Sequence, residues 1–338
     1  MSKSNKTEYS LLELAMVAEG EKMRTTLQNA LAMAREAEDC GYGRIWLAEH
    51  HNAENIGSSA TSVLMGYIAA NTGHIRVGSG GIMLPNHSPL IIAEQFGTLA
   101  HLYPGRIDLG LGRAPGTDQQ TALAIRSDFM QAAYSFPSEV EKIQAYFSPS
   151  NKIAKVRAPI AEGTGVPIYI LGSSTDSAHL AAAKGLPYAF ASHFASTHLH
   201  SALKIYRDEF RPSEALSQPY TMAGVNICVA DSDEEAETLF SSVIRMFLGV
   251  ITGARSPLQA PTEMSSDLRG LLQHPTLHQM LKYSFVGSKS TVKKQVLDFL
   301  EQTRVNELIV TTSLYDLQAR KNSIRFFSEI MDEINEAE

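Results

Sequence analysis

Cysteine, basic clusters and long apolar runs are all scarce in this sequence, and each scarcity excludes something. Its 338 residues include two cysteines, Cys40 in a predicted helix and Cys228 in a predicted strand. A structural disulfide is therefore not expected, and a reducing cytoplasm is the expected setting. No stretch approaches the roughly 18 uninterrupted apolar residues of a membrane helix. The apolar run at 11–17 is short and holds Glu13, which argues against a secretory leader. No Lys/Arg cluster exceeds the Lys293-Lys294 pair and its neighbours, and the net charge is -7, so neither a nucleic-acid nor a membrane partner is expected. A dinucleotide fingerprint is also missing. The glycines of Gly110-Leu111-Gly112-Arg113-Ala114-Pro115-Gly116 come closest, but the third is one place late and Ala-Pro-Gly breaks a helix where one should start.

What the chain does have is a core, with 44% hydrophobic residues, and a repeated alternation of short β-rich runs with amphipathic helical runs. Strands are expected at 9–14, 44–48, 75–84, 106–112, 167–172, 188–192, 220–230 and 307–312. The helix at 22–40 carries Met23, Leu27, Ala30, Leu31, Ala34 and Ala37 on one face and stops at Gly41. Further helices are expected at 59–72 with Ser59 as cap, from Ser88-Pro89 onward, up to 147, and at 177–184 and 197–210. Others are expected from an Asp231 cap to 248, at 290–303 and at 318–334. Residues 114–136 read as loop and short helix, and 253–284 as a polar, proline-bearing insertion. Eight strands alternating with helices argue for an α/β fold. Pattern alone does not separate a barrel from an open doubly wound sheet. Count and length favour a single-domain (β/α)8 TIM barrel with an insertion before the last strand.

In such a barrel the chemistry belongs just past the strand C-termini. Glu49-His50-His51-Asn52 follows the second strand. An imidazole there suits proton transfer near neutrality. The plain alternative is a pair of loop histidines, and a metal reading is weakened because adjacent histidines diverge. Gly78-Ser79-Gly80-Gly81 interrupts the third strand. Either a flat ring lies against bare backbone there or the strands pack tightly. Pro85-Asn86-His87 adds an imidazole to the same rim. Arg113 follows the fourth strand, in a loop where a guanidinium can grip a phosphate or simply face solvent. Gly172-Ser173-Ser174-Thr175-Asp176-Ser177 follows the fifth, with hydroxyls and free N–H groups at a helix start. The two neighbouring phosphate-type features are more telling together than either alone.

At these residues the chain resembles the bacterial luciferase-like monooxygenase family. The resemblance runs from about residue 11 to the C-terminus. It is carried by GYGRIWLAEHHN (41–52), RVGSGGIMLPNHSPLIIAEQFGTL (76–99), YPGRIDLGLGRAPGTD (103–118) and PIYILGSS (167–174), and is nearer to single-component-type homologues than to the light-emitting heterodimer. It implies a barrel, FMN bound as FMNH2, and O2 as co-substrate through a C4a-peroxyflavin. It also implies a small-molecule substrate, a separate flavin reductase and a homodimer formed through the second and third helices. By this resemblance His50 is the catalytic histidine, and Gly80-Gly81 marks a non-proline cis bond beneath the flavin ring. Arg113, Ser174 and Ser177 then bind the phosphate, and no metal is called for. Gly112 stands where the light-emitting subunit has a reactive cysteine, and Ser173 replaces an acidic residue, which counts against aldehyde oxidation with light emission. Rival readings are an F420-dependent dehydrogenase on the same barrel, an idle flavin-binding protein, and a metal-dependent hydrolase. Leu14, Met16, Met83 and Phe194 are expected pocket walls, equally suited to an aldehyde, an aromatic or a sulfur compound, with 114–135 and 253–284 as lids.

Overall fold

A computed structural model describes residues 6–150 and 155–337. Its strands are β1 (Glu8–Glu13), β2 (Arg44–Leu47), β3 (Arg76–Met83), β4 (Ile107–Gly112), β5 (Ile168–Gly172), β6 (Tyr188–Phe190), β7 (Thr221–Ala230), β8 (Ser284–Ser288) and β9 (Glu307–Thr311). Helices intervene as α1 (Met23–Asp39), α2 (Thr61–Ala70), α3 (Pro89–Leu102), α4 (Gln119–Ile125), α5 (Phe129–Tyr134) and α6 (Phe136–Phe147). The series continues with α7 (Thr175–Lys184), α8 (Leu199–Glu209), α9 (Asp233–Thr252), α10 (Ser266–Leu271), α11 (Pro275–Leu281), α12 (Lys289–Thr303) and α13 (Leu317–Ala337).

Every strand pairing is parallel. β1 to β7 follow one another round the ring, β7 pairs with β9, and β9 returns to β1. The result is a closed eight-stranded (β/α)8 barrel. Its strands are buried on both faces, which is why they read as near-continuous apolar runs; all ten residues of β7 are buried. Leu12, Trp46, Tyr169, Ala189, Met222 and Ile309 fill the interior. A larger apolar layer, including Phe96, Tyr188, Tyr206 and Phe327, glues barrel to helices.

Two sequence expectations need correction. β8 was not foreseen. It pairs with the far half of β7, Asn226 to Ala230, whereas β9 takes the near half, Met222 to Asn226. The ten-residue β7 therefore outruns the barrel wall and carries an extra strand. The insertion expected at 253–284 does precede the last strand, and it is a packed one. Leu268, Leu277 and Leu281 bury against Phe240, Val243, Ile244 and Phe247 of α9 in a core of their own. Short helices interrupted by Pro257, Pro261 and Pro275 give no sustained 3.6-residue period, so the pattern escapes a reading by periodicity. The caps also shift. α2 starts after Ala60 rather than Ser59, and Ser232, not Asp231, accepts from the Glu235 N–H at 3.1 Å.

A buried polar network closes the bottom of the barrel. Arg44 reaches Asp108 at 2.9 Å and Glu307 at 3.0 Å, and both carboxylates are buried. Tyr169 accepts from the same guanidinium, Arg76 Nε donates to Asp108 at 2.9 Å, and Tyr220 donates to Glu307 at 2.6 Å. Burial opposes the charge on Arg44, but Glu307 and Asp108 outweigh it and hold its pKa above the usual value. With this end sealed, the opening lies at the strand C-termini.

Candidate active site

The rim is organised around Glu49, two residues past the end of β2. Its carboxylate is 1% exposed and accepts from His51 Nε2 at 2.8 Å, His87 Nε2 at 2.9 Å, Asn86 Nδ2 at 2.9 Å and the Met83 N–H at 3.0 Å. Burial alone would raise its pKa. The hydrogen bonds from His51 and His87, with Asn86 behind them, prevail and bring it down to about 2. Glu49 is thus a fixed anion that pins the loops after β2 and β3 together. The loop after β4 is stitched to the same unit. Asn86 donates to Pro115 O at 3.0 Å, Thr117 to His51 O at 2.9 Å, Asn52 to Thr121 at 3.0 Å and Arg126 to His87 O at 2.9 Å. The 114–135 segment, expected as a lid, is tied down at several points.

His50 points the other way from His51. Its Nδ1 lies 3.1 Å from Gly116 O. A carbonyl only accepts, so Nδ1 carries the proton and Nε2 is left as a bare base. Burial, aided by the positive charge of Arg255, lowers the His50 pKa despite the Gly116 bond. The imidazole is neutral near pH 7.

Arg113, three residues before Gly116, pairs with Asp176 at 3.2 Å. Asp176 sits in the first turn of α7, whose N-cap residue Ser174 is extended and makes no side-chain cap bond. The first N–H groups of α7 lack an internal partner, and the guanidinium is tethered to the side chain of a residue in the same turn. Both members of the ion pair are more than half exposed, so the pair is screened and weak. Ser177 is placed differently from Ser174. Its hydroxyl donates to Ser174 O at 2.7 Å and meets Tyr188 OH at 3.0 Å. It braces the turn, and its backbone N–H is what remains for a ligand.

The Gly80–Gly81 peptide is cis, at a shift in the β3–β4 register between Ser79 and Ile82. A Cβ on Gly80 would lie 2.7 Å from Leu12 and 2.9 Å from Trp46. Packing of the chain on itself thus demands glycine here, and the partly exposed Gly80 backbone is left at the floor of the mouth.

His193, three residues past β6, escaped the sequence reading. Its ring folds back over the barrel until a Cβ on Gly224 of β7 would lie 2.3 Å from its Nδ1. Asn226 Nδ2 donates to its backbone carbonyl at 2.6 Å, and Phe194 stacks edge-on at 4.8 Å. Burial, with His50 nearby, pushes this imidazole down to about 4. Nothing local marks it: His193 lies one residue beyond the expected sixth strand, in a run of ordinary loop residues. Among the described residues the buried side-chain polar atoms without a partner are Asn55 Oδ1, Ser58 Oγ, Asn86 Oδ1, His193 Nδ1, Thr312 Oγ1 and Ser242 Oγ. All but Ser242 follow the C-terminal ends of β2, β3, β6 or β9. Such atoms are costly, and they gather where a polar ligand would sit. No three His, Cys, Asp or Glu side chains among the described residues are grouped to hold a metal ion. None of the described helices is long and apolar enough to cross a membrane, and Cys40 and Cys228 are both free.

The family profile described as luciferase-like monooxygenase matches residues 13–307. A luciferase-like monooxygenase of Escherichia coli K12 is 45% identical over 96% of this chain and 97% of its own. The N-acetyl-S-alkylcysteine monooxygenase of Bacillus subtilis is 30% identical over 95% and 97%. Among solved structures, apo-MsnO8 superposes with a TM-score of 0.88 at 31% identity, over 96% of this chain and 98% of its own. The same fold occurs at lower identity in the FMN complex of the oxygenating constituent of 3,6-diketocamphane monooxygenase from Pseudomonas putida (TM-score 0.74, 18%, over 96% and 97%). It occurs also in an F420-dependent secondary alcohol dehydrogenase with an F420-acetone adduct (0.71, 16%, over 96% and 98%). With barrel, rim and near-full-length likeness in agreement, the chain belongs to the luciferase-like monooxygenase family.

Proposed function

We propose that this protein is a monooxygenase that uses FMNH2 and O2 to oxidise a small organic substrate in the barrel mouth. One observation carries the reading: Arg113 pairs at 3.2 Å with the carboxylate of Asp176, a residue of the first turn of α7, and lies on the loop whose Gly116 carbonyl holds His50. A phosphate grip and a neutral imidazole base are thereby built into one rim. The residues present fit a flavin mononucleotide. Arg113, the Ser174 hydroxyl and the N–H groups of Thr175, Asp176 and Ser177 would hold the phosphate. The bare Gly80–Gly81 backbone would face the ring. Reduced FMN, when bound, supplies the two electrons that activate oxygen.

The remaining work belongs to side chains. His50 Nε2 takes or returns a proton at the reacting oxygen, and its low pKa keeps it available as a base near neutrality. Glu49 holds the loops after β2 and β3 in register, and Asn86 carries the link on to the loop after β4. The stitched 114–135 segment shields the mouth from water. Reduced flavin comes from a separate reductase. A second copy of the chain covers the apolar face of α2 and α3, where Val63 is 73% and Leu102 63% exposed beside Tyr67 and Ile91. The relative that oxidises N-acetyl-S-alkylcysteines makes sulfur compounds the first substrates to try.

The test is oxygen uptake by purified protein supplied with chemically reduced FMN or reduced F420, with and without a thioether substrate. Substrate-dependent uptake with FMN alone is expected. Reduction of a ketone by reduced F420, or tight flavin binding without substrate-dependent uptake, would overturn the reading in favour of a dehydrogenase or an idle flavin carrier.

A further inference from the structure

The two imidazoles of the mouth are built as opposites. His50 has its Nδ1 on a carbonyl, which leaves Nε2 bare. His193 has its Nδ1 sealed against Gly224 with no partner. An N–H buried without an acceptor is costlier than a bare lone pair, so the His193 proton belongs on Nε2. That nitrogen makes no bond to the described residues and is not among the sealed atoms, and the residue as a whole is only half-buried. The backbone is fixed by the Asn226 bond at 2.6 Å and the ring by Phe194 on one side and Gly224 on the other. The barrel thus spends a glycine, an asparagine and an unpartnered nitrogen on holding one N–H toward the opening. A purely structural histidine would have its ring nitrogens satisfied.

We propose that His193 is a ligand-binding residue whose Nε2–H donates a hydrogen bond to a carbonyl oxygen held in the mouth, as the donor counterpart of the His50 base. Two sources offer that chemistry, the carbonyls of the flavin ring and a carbonyl of the organic substrate. A neutral imidazole donor suits either, because it polarises a carbonyl without bringing a charge into a low-dielectric site. The identity of the acceptor rests on the proposed flavin site; the tautomer and its orientation do not.

The test is nitrogen NMR of the protein labelled with 15N-histidine. The His193 signals are assigned by their loss in His193→Gln. In Gly224→Ala, the new Cβ at 2.3 Å displaces the ring without removing it, so the same signals should shift. In the protein alone, Nδ1 should resonate as unprotonated and Nε2 as protonated; the reverse assignment overturns the proposal. FMN and N-acetyl-S-methylcysteine, a thioether whose acetyl group offers a carbonyl, are then added in separate samples. Movement of the Nε2–H signal with FMN identifies the flavin as acceptor, and movement with the thioether alone identifies the substrate. A signal unmoved by both overturns the role. Failure of the flavin reading appears separately, as loss of FMN binding with the tautomer intact. For turnover, His193→Gln retains a donor near the Nε2 position and should keep most activity. His193→Phe keeps the ring's bulk without the donor and should lose at least tenfold in kcat/KM. Equal losses in the two would mean that His193 only packs.

Discussion

Replacing Glu49 by glutamine isolates the anion that joins the rim loops after β2 and β3. The change is nearly isosteric, so it alters charge and hydrogen-bonding capacity without opening a cavity. The carboxyl falls from its ordinary 4.5 to about 2 on folding, which corresponds to about 3 kcal/mol of stability at neutral pH. A glutamine oxygen cannot take all four donors, and its own N–H groups would confront those of His51, His87 and Asn86. A loss of about 3 kcal/mol at pH 7 is therefore expected from urea unfolding followed by circular dichroism. The sign of the pH dependence is specific. A depressed acid contributes stability above its unfolded pKa and loses it as the pH falls through the folded one. The gap between wild type and Glu49→Gln should stay wide above about pH 4.5 and narrow toward pH 2. A gap that is constant through this window, or absent at neutral pH, would refute the reasoning that Glu49 is held as an anion by its neighbours.

Other predictions follow the same physical lines. His50→Ala should bind FMN with unchanged affinity yet lose turnover; an undiminished rate removes His50 from the mechanism. The acid limb of the wild-type activity profile should lie below the ordinary histidine range near 6.5, and in Arg255→Ala it should move to higher pH, because that charge holds the His50 pKa down. A profile indifferent to Arg255 would deny the coupling. Arg44→Met should cost about 3–5 kcal/mol by leaving Glu307 buried without a cation and Asp108 with Arg76 alone, read as a lower urea midpoint; a smaller change would mean that the bottom network relaxes freely. Val63→Glu with Leu102→Glu should turn a dimer into a monomer by light scattering, and a wild type that is itself monomeric would contradict the proposed interface.

Much of the architecture is visible in the chain because barrel strands buried on both faces leave near-continuous apolar runs, as in residues 221–230, where only Thr221, Gly224 and Asn226 interrupt, and long helices keep their period. His50, Arg113 and Ser174 follow the ends of β2, β4 and β5, positions that the strand boundaries alone fix. What escaped depended on tertiary geometry. β8 is five residues long with Gly287 in it, and only the excess length of β7 creates an edge for it. Ser177 reads as a free hydroxyl, whereas it donates back to Ser174 O and meets Tyr188 from the next strand, contacts that depend on how the turn before α7 closes. Glu49 reads from the sequence as part of a polar rim cluster and a metal-type ligand, whereas its role as a fixed anion depends on Asn86 and His87 arriving from the loop after β3. His193 becomes distinctive only because Gly224, 31 positions later, has no side chain to exclude its ring.

The most direct measurement is a binding cycle in which wild type and Arg113→Ala are each titrated with FMN and with riboflavin under anaerobic, reducing conditions. A phosphate held by Arg113 and the start of α7 predicts that wild type prefers reduced FMN and that Arg113→Ala loses about 1–3 kcal/mol for FMN while leaving riboflavin untouched. Equal affinity of wild type for the two flavins, or an Arg113→Ala effect of the same size on both, would contradict a phosphate site at this rim.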